Sequence, residues 1–225
     1  MDLDVAVQRL NLLKSNHLSQ KYELEDQINK YFPREIAEYE QTIAGYQADM
    51  AYLAANTHPD ADGFSPMEIE GTVYTEKKAA GSAILAACKA MTSPDPVPLG
   101  QYRGFAMSLS FNSLSREFHI SLKNRLHYDV ALGMDLFGNI QRIDNALDGM
   151  GNHLRDCEVR LENVKVQLAN AKVEVEKPFP QEEELREKTA RLNELNVMLS
   201  MDKPENEIAD DGRGVETAGP VRSSG

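Results

Sequence analysis

Ser108, Ser110, His119, Ser121, Lys123, Arg125 and His127 fall at alternate positions along three consecutive runs of period two. If those runs are strands, all seven side chains turn to one face of a sheet. Hydroxyls, imidazoles and cations on an open sheet could follow a phosphate backbone, with Lys123 and Arg125 as the main contacts and Tyr102 and Arg103 beside them. The stretch from Gln101 to Tyr128 holds four basic residues and one acid. That is a local excess in a chain whose formal net charge is -12. The simpler reading is that polar residues face water on a half-buried sheet. The candidate nucleic-acid contacts are Tyr102, Arg103, Ser108, His119, Lys123, Arg125 and His127.

Other chemistry has less to stand on. His119 and His127 share a facing on adjacent strands and could approach each other, but a metal site takes three or four ligands and no Cys or further His is near. Asp129 could orient one of the histidines for proton transfer, yet no activated nucleophile accompanies it. A phosphate-cradling glycine loop, a zinc spacing and a Gly-x-Ser-x-Gly elbow are absent from the sequence. The chain is therefore expected not to be an enzyme by itself, and no metal or cofactor is assigned. The acidic run Glu182-Glu183-Glu184 suits the positive end of a helix dipole.

Positioning those strands requires a small α+β head. Phe105, Met107, Leu109 and Phe111 share one face of the first strand, Phe118, Ile120 and Leu122 one face of the second, and Leu126, Tyr128, Val130 and Leu132 one face of the third. Short strands about Gly71 precede them. A helix capped by Thr75 would bury Ile84, Leu85, Ala87, Cys88 and Met91 against the apolar sheet face. The proline-rich run from Thr92 to Pro98 reads as a rigid connector.

Either side of the head the period is helical. Ile140, Ile143, Leu147, Met150, Leu154, Cys157, Leu161, Val164, Leu168, Ala171 and Val175 alternate spacings of three and four. That repeat holds one stripe against a partner helix. The N-terminal segment supplies one, with Leu3, Val7, Leu10, Leu13, Leu24, Ile28 and Tyr31 inward, then Ile36, Ile43, Tyr46, Met50 and Leu53. Phe32-Pro33 should break or kink the first arm, and Pro178-Phe179-Pro180 the second. Gly149 and Gly151 weaken the second arm locally.

The expected architecture is a long kinked antiparallel helical hairpin with coiled-coil-like arms. Residues 1–56 form the first arm, 57–138 the head, 139–201 the second arm and 202–225 a disordered acidic tail. Homodimerisation through the arms is compatible with the repeat. Cys88 and Cys157 read as small core residues in a reducing compartment. With no signal peptide and no apolar run of membrane-spanning length, a cytoplasmic protein without a membrane partner is expected.

Several phrases also resemble a known family. These are Leu3-Asp4-Val5-Ala6-Val7-Gln8-Arg9-Leu10, His17-Leu18-Ser19-Gln20-Lys21-Tyr22, Leu24-Glu25-Asp26 and Phe64-Ser65-Pro66-Met67. Further on come Tyr102-Arg103-Gly104-Phe105, Leu136-Phe137-Gly138-Asn139-Ile140 and Lys177-Pro178-Phe179-Pro180-Gln181-Glu182. The chain is similar to the C-terminal region of the very large helicase–DNA methylase proteins carried by conjugative elements and plasmids of Gram-positive gut bacteria. Neither the methylase Asn-Pro-Pro-aromatic motif nor the helicase nucleotide-binding motif is present, so no catalytic residue carries over. The resemblance implies an accessory segment that touches DNA or docks to a nucleic-acid-processing protein. A free copy on a mobile element could instead be an anti-defence protein that binds a restriction or CRISPR nuclease effector. A structural coiled-coil spacer is the remaining expectation.

Overall fold

Two-residue turns with positive φ at both positions set the register of the sheet. Glu70-Gly71 (φ 49° and 77°) joins β1 (Met67–Ile69) to β2 (Thr72–Tyr74), and Arg103-Gly104 (φ 48° and 85°) joins β3 (Val97–Tyr102) to β4 (Phe105–Asn112). This mirror-image turn matches the twist of the flanking strands and favours glycine second. β5 (Glu117–Lys123) and β6 (His127–Ala131) complete an antiparallel sheet of order β2-β1-β3-β4-β5-β6. The computed structural model describes residues 2–201; the expected tail, 202–225, lies outside the described residues. They fall into two compact units, one of residues 22–176 and one that joins residues up to 21 with those from 177 onward.

β3 begins in the last two residues of the stretch read above as a connector and runs on to Tyr102. Its alternation is masked by Pro98 and Gly100, between which the pairing with β4 shifts register. Gly100 (φ 154°) lies so close to β1 that an added Cβ would sit 2.0 Å from the carbonyl oxygen of Glu68. Only glycine permits that approach.

The sheet's apolar face carries Met67, Ile69, Phe105, Met107, Leu109, Ile120, Leu122, Tyr128 and Val130, all buried. Ile84, Ala87 and Cys88 of α3 (Lys77–Ala90) and Ile140, Ile143 and Leu147 of α4 (Leu136–Asp148) complete one core with it. Each buried Leu, Ile or Phe contributes about 1.5–3 kcal/mol. α3 does not begin at a Thr75 cap. Glu76 takes the N-cap backbone position without a side-chain bond, because Thr75 lies one residue too early. α4 is capped by Asp135, whose carboxylate accepts from the N–H groups of Phe137 and Gly138 at 3.2 and 2.9 Å.

α2 (Phe32–Asn56) and α5 (Met150–Val175) run antiparallel in the same unit. Glu40 pairs with Lys165, and the Tyr46 ring stacks 6.2 Å from His153. The three-four repeat thus changes partner part-way. Ile140, Ile143, Leu147 and Met150 join the sheet's core, and the later positions, from Leu154 onward, lie on α5, which packs along α2. Gly149 marks the changeover, as the C-cap of α4 and the N-cap of α5.

Phe32-Pro33 does not break the N-terminal helix. α1 (Asp2–Asp26) passes into a π-helical turn (Gln27–Tyr31), in which the Phe32 N–H donates to the Gln27 carbonyl five residues back. Pro33 follows directly, with Tyr31 and Phe32 before it already in the right-handed helical region, so the chain passes the proline without leaving the helix. In the other unit, Val7 and Leu10 of α1 bury against Phe179 and against Leu185 of α6 (Glu182–Met201). Lys14 pairs with Glu182 at 2.7 Å in that unit.

Candidate interaction surface

The sheet's second face is assembled by cross-strand pairing. One row runs Val73, Glu68, Gln101, Ala106, Lys123, His127; the next runs Pro98, Ser108, Ser121, Asp129; a third runs Ser110, His119, Ala131. Every one of these residues is exposed or half-buried. Of the seven candidates, Ser108, His119, Lys123 and His127 lie on this face.

The other three do not. Tyr102 pairs with Phe105 and Met67, which puts it on the core side. It is 2% exposed, stacks on Phe64, and donates its hydroxyl to Asp144 Oδ1 at 2.7 Å. Arg103 is consumed within the fold. Its guanidinium reaches Asp148 at 2.8 Å, and its Nε donates to Thr57 Oγ1 at 3.0 Å. This clamps the β3–β4 turn to α4 and the end of α2. Arg125 is exposed, but it occupies the three-residue loop between Lys123 and His127 rather than a strand position.

The charge pattern follows. Lys123 and His127 are opposite one another, while Asp129 is diagonal to Lys123 and to His119, and Glu68 shares the Lys123 row. Glu117, exposed and opposite Asn112, is on the same face, so one lysine stands against three acids, Glu68, Glu117 and Asp129, and the face has no cationic excess. His119 is opposite Ala131, four residues from His127, so the two imidazoles are about 13 Å apart along the strand direction. The expectation that they approach each other is corrected. His119 Nε2 is buried and has no hydrogen-bond partner. Among the described residues no group of three or more His, Cys, Asp or Glu is arranged to hold a metal ion.

The polar residue that sequence reasoning missed is Asp49. It is completely buried, and its carboxylate accepts from the N–H groups of Arg125 and Leu126 at 2.9 Å each and from the Tyr128 hydroxyl at 2.8 Å. A helix residue thereby holds the β5–β6 loop. The signal was its spacing, three after Tyr46 and four before Leu53 on the buried stripe. Met50, expected inward, is 36% exposed instead. Burial first, and then the bond to Asp49, push the Tyr128 hydroxyl well above its ordinary pKa. Tyr102 is raised in the same way by burial and Asp144. Cys88 is pushed up to about 11 by burial, so its thiol stays protonated and unreactive near neutrality.

No helix among the described residues is long and apolar enough to cross a membrane. The chain matches no protein-family model, and comparison with curated proteins and with solved structures returned no match.

Proposed function

We propose that the chain is a non-catalytic interaction module that binds a partner protein, of the nucleic-acid-processing kind, through the open sheet face. The observation that carries this is the lack of a cationic excess on that face, where Lys123 stands against Glu68, Glu117 and Asp129. A surface that follows phosphates needs cations in excess, whereas a protein partner is met by mixed charge and short polar side chains. Ser108, Ser110 and Ser121 leave the platform low, and the formal net charge of -12 favours a partner with a basic surface. On the resemblance to mobile-element helicase–methylase proteins, that partner is the motor protein itself or, for a free copy, a host restriction or CRISPR effector in the cytoplasm.

A second reading rests on one corner. Lys123, Arg125 and His127 are all exposed around the β5–β6 loop and could contact DNA. Fluorescence anisotropy with short single- and double-stranded DNA at two salt concentrations separates the readings. The proposal expects no binding at low salt, together with co-purification of a nuclease or helicase partner that Ser121→Trp abolishes. Salt-sensitive DNA binding lost in the Lys123→Ala, Arg125→Ala double variant would replace it with the DNA reading.

A further inference from the structure

α5 carries a second heptad stripe that the packing leaves unused. Val159, Val166 and Val173 recur every seventh residue, with Asn163 and Asn170 between them. They lie two residues, about 200° of helix rotation, from the inward positions Leu161, Leu168, Ala171 and Val175, and so on the side away from α2. The three valines are 61%, 56% and 66% exposed. One exposed valine needs no explanation. Three at strict heptad spacing, on a helix where β-branched residues are disfavoured, describe a coiled-coil seam without its partner.

The flanking charges identify the partner. Arg155 and Arg160 border the N-terminal half of the stripe, and Glu174 and Glu176 the C-terminal half, all exposed. Turned end for end about Val166, the stripe matches itself. Val159 meets Val173 of a second copy, Asn163 meets Asn170, Arg155 meets Glu176 and Arg160 meets Glu174. Each carboxamide offers a donor and an acceptor to the other, which also fixes the register. A parallel arrangement would instead set Asp156 against Asp156 and Arg155 against Arg160, like charges in both places. We infer that α5 pairs antiparallel with α5 of a second copy of this chain, in an isologous two-fold contact centred on Val166.

The stripe from Val159 to Val173 spans about 21 Å. Its area falls below the roughly 1,200 Å² of a standard stable interface, so association is weak and depends on concentration. Sedimentation equilibrium of the full chain from about 1 μM to about 0.5 mM reads it directly. A reversible dimer is expected, and Val166→Lys should raise its dissociation constant at least tenfold by opposing two ammonium groups on the axis, with Tm unchanged at this exposed site. The double variants Arg155→Glu, Arg160→Glu and Glu174→Arg, Glu176→Arg should each be monomeric alone and dimerise when mixed. A chain that stays monomeric throughout the range, a dimer indifferent to Val166→Lys, or mixed variants that fail to pair would each overturn the inference.

Discussion

Tyr102 and Tyr128 show how single residues lock the sheet to its helices. Each phenol is buried against a carboxylate, Asp144 at 2.7 Å and Asp49 at 2.8 Å. Both therefore keep their protons above the ordinary tyrosine value of 10.0. In the folded chain the proton stays on above pH 10, while the unfolded chain releases it. The stabilisation is complete below that pH and declines above it, by about 1.4 kcal/mol per pH unit for each tyrosine. The urea midpoint should fall steeply above pH 10, and less steeply in Tyr128→Phe; a flat alkaline profile would contradict the assignment. Residue type alone suggested that Tyr102 and Arg103 were surface contacts. Strand parity put the first inside, and two acids on α4, Asp144 and Asp148, draw the second inward.

At the scale of elements, the three-four repeat was fully legible, but its partner was legible only for the later half, which packs along α2. A helix stripe records that something apolar covers it and carries no label for what does. The first positions met a sheet and the later ones a helix, with Gly149 between. Leu161, 8% exposed on α5, tests the second half. Leu161→Asp leaves an unpaired carboxylate in the seam and should cost about 3–5 kcal/mol, seen as a Tm drop of roughly 10 °C or more. The same change at exposed Gln167 should cost under about 0.5 kcal/mol. Equal Tm values for the two variants would mean that the stripe is not a seam. β3 went unread because proline and glycine usually mark a loop. Here the glycine answers to a neighbouring strand that no local pattern contains.

At the scale of the whole molecule the two units differ in depth. The sheet unit buries a continuous core from Leu53 to Met150, whereas the unit of α1 and α6 buries Val7, Leu10, Phe179 and Leu185. Less buried apolar surface means cheaper local opening. Amides of α6 should exchange with solvent at least about a hundredfold faster than those of β4 and β5 under native conditions. Equal protection would show that the chain opens only as one cooperative body.

What the sequence determined by itself was periodicity. Alternation marked β4, β5 and β6 and their two faces, and spacings of three and four marked the helices, because these follow from local backbone geometry. What only the tertiary structure decided was assignment of polar groups: Arg103 to Asp148 and Asp49 to the β5–β6 loop. Those pairings join residues far apart in the chain, and their energy depends on burial, which arises only once helix and sheet have met. The open face therefore kept its serines and lost its basic excess.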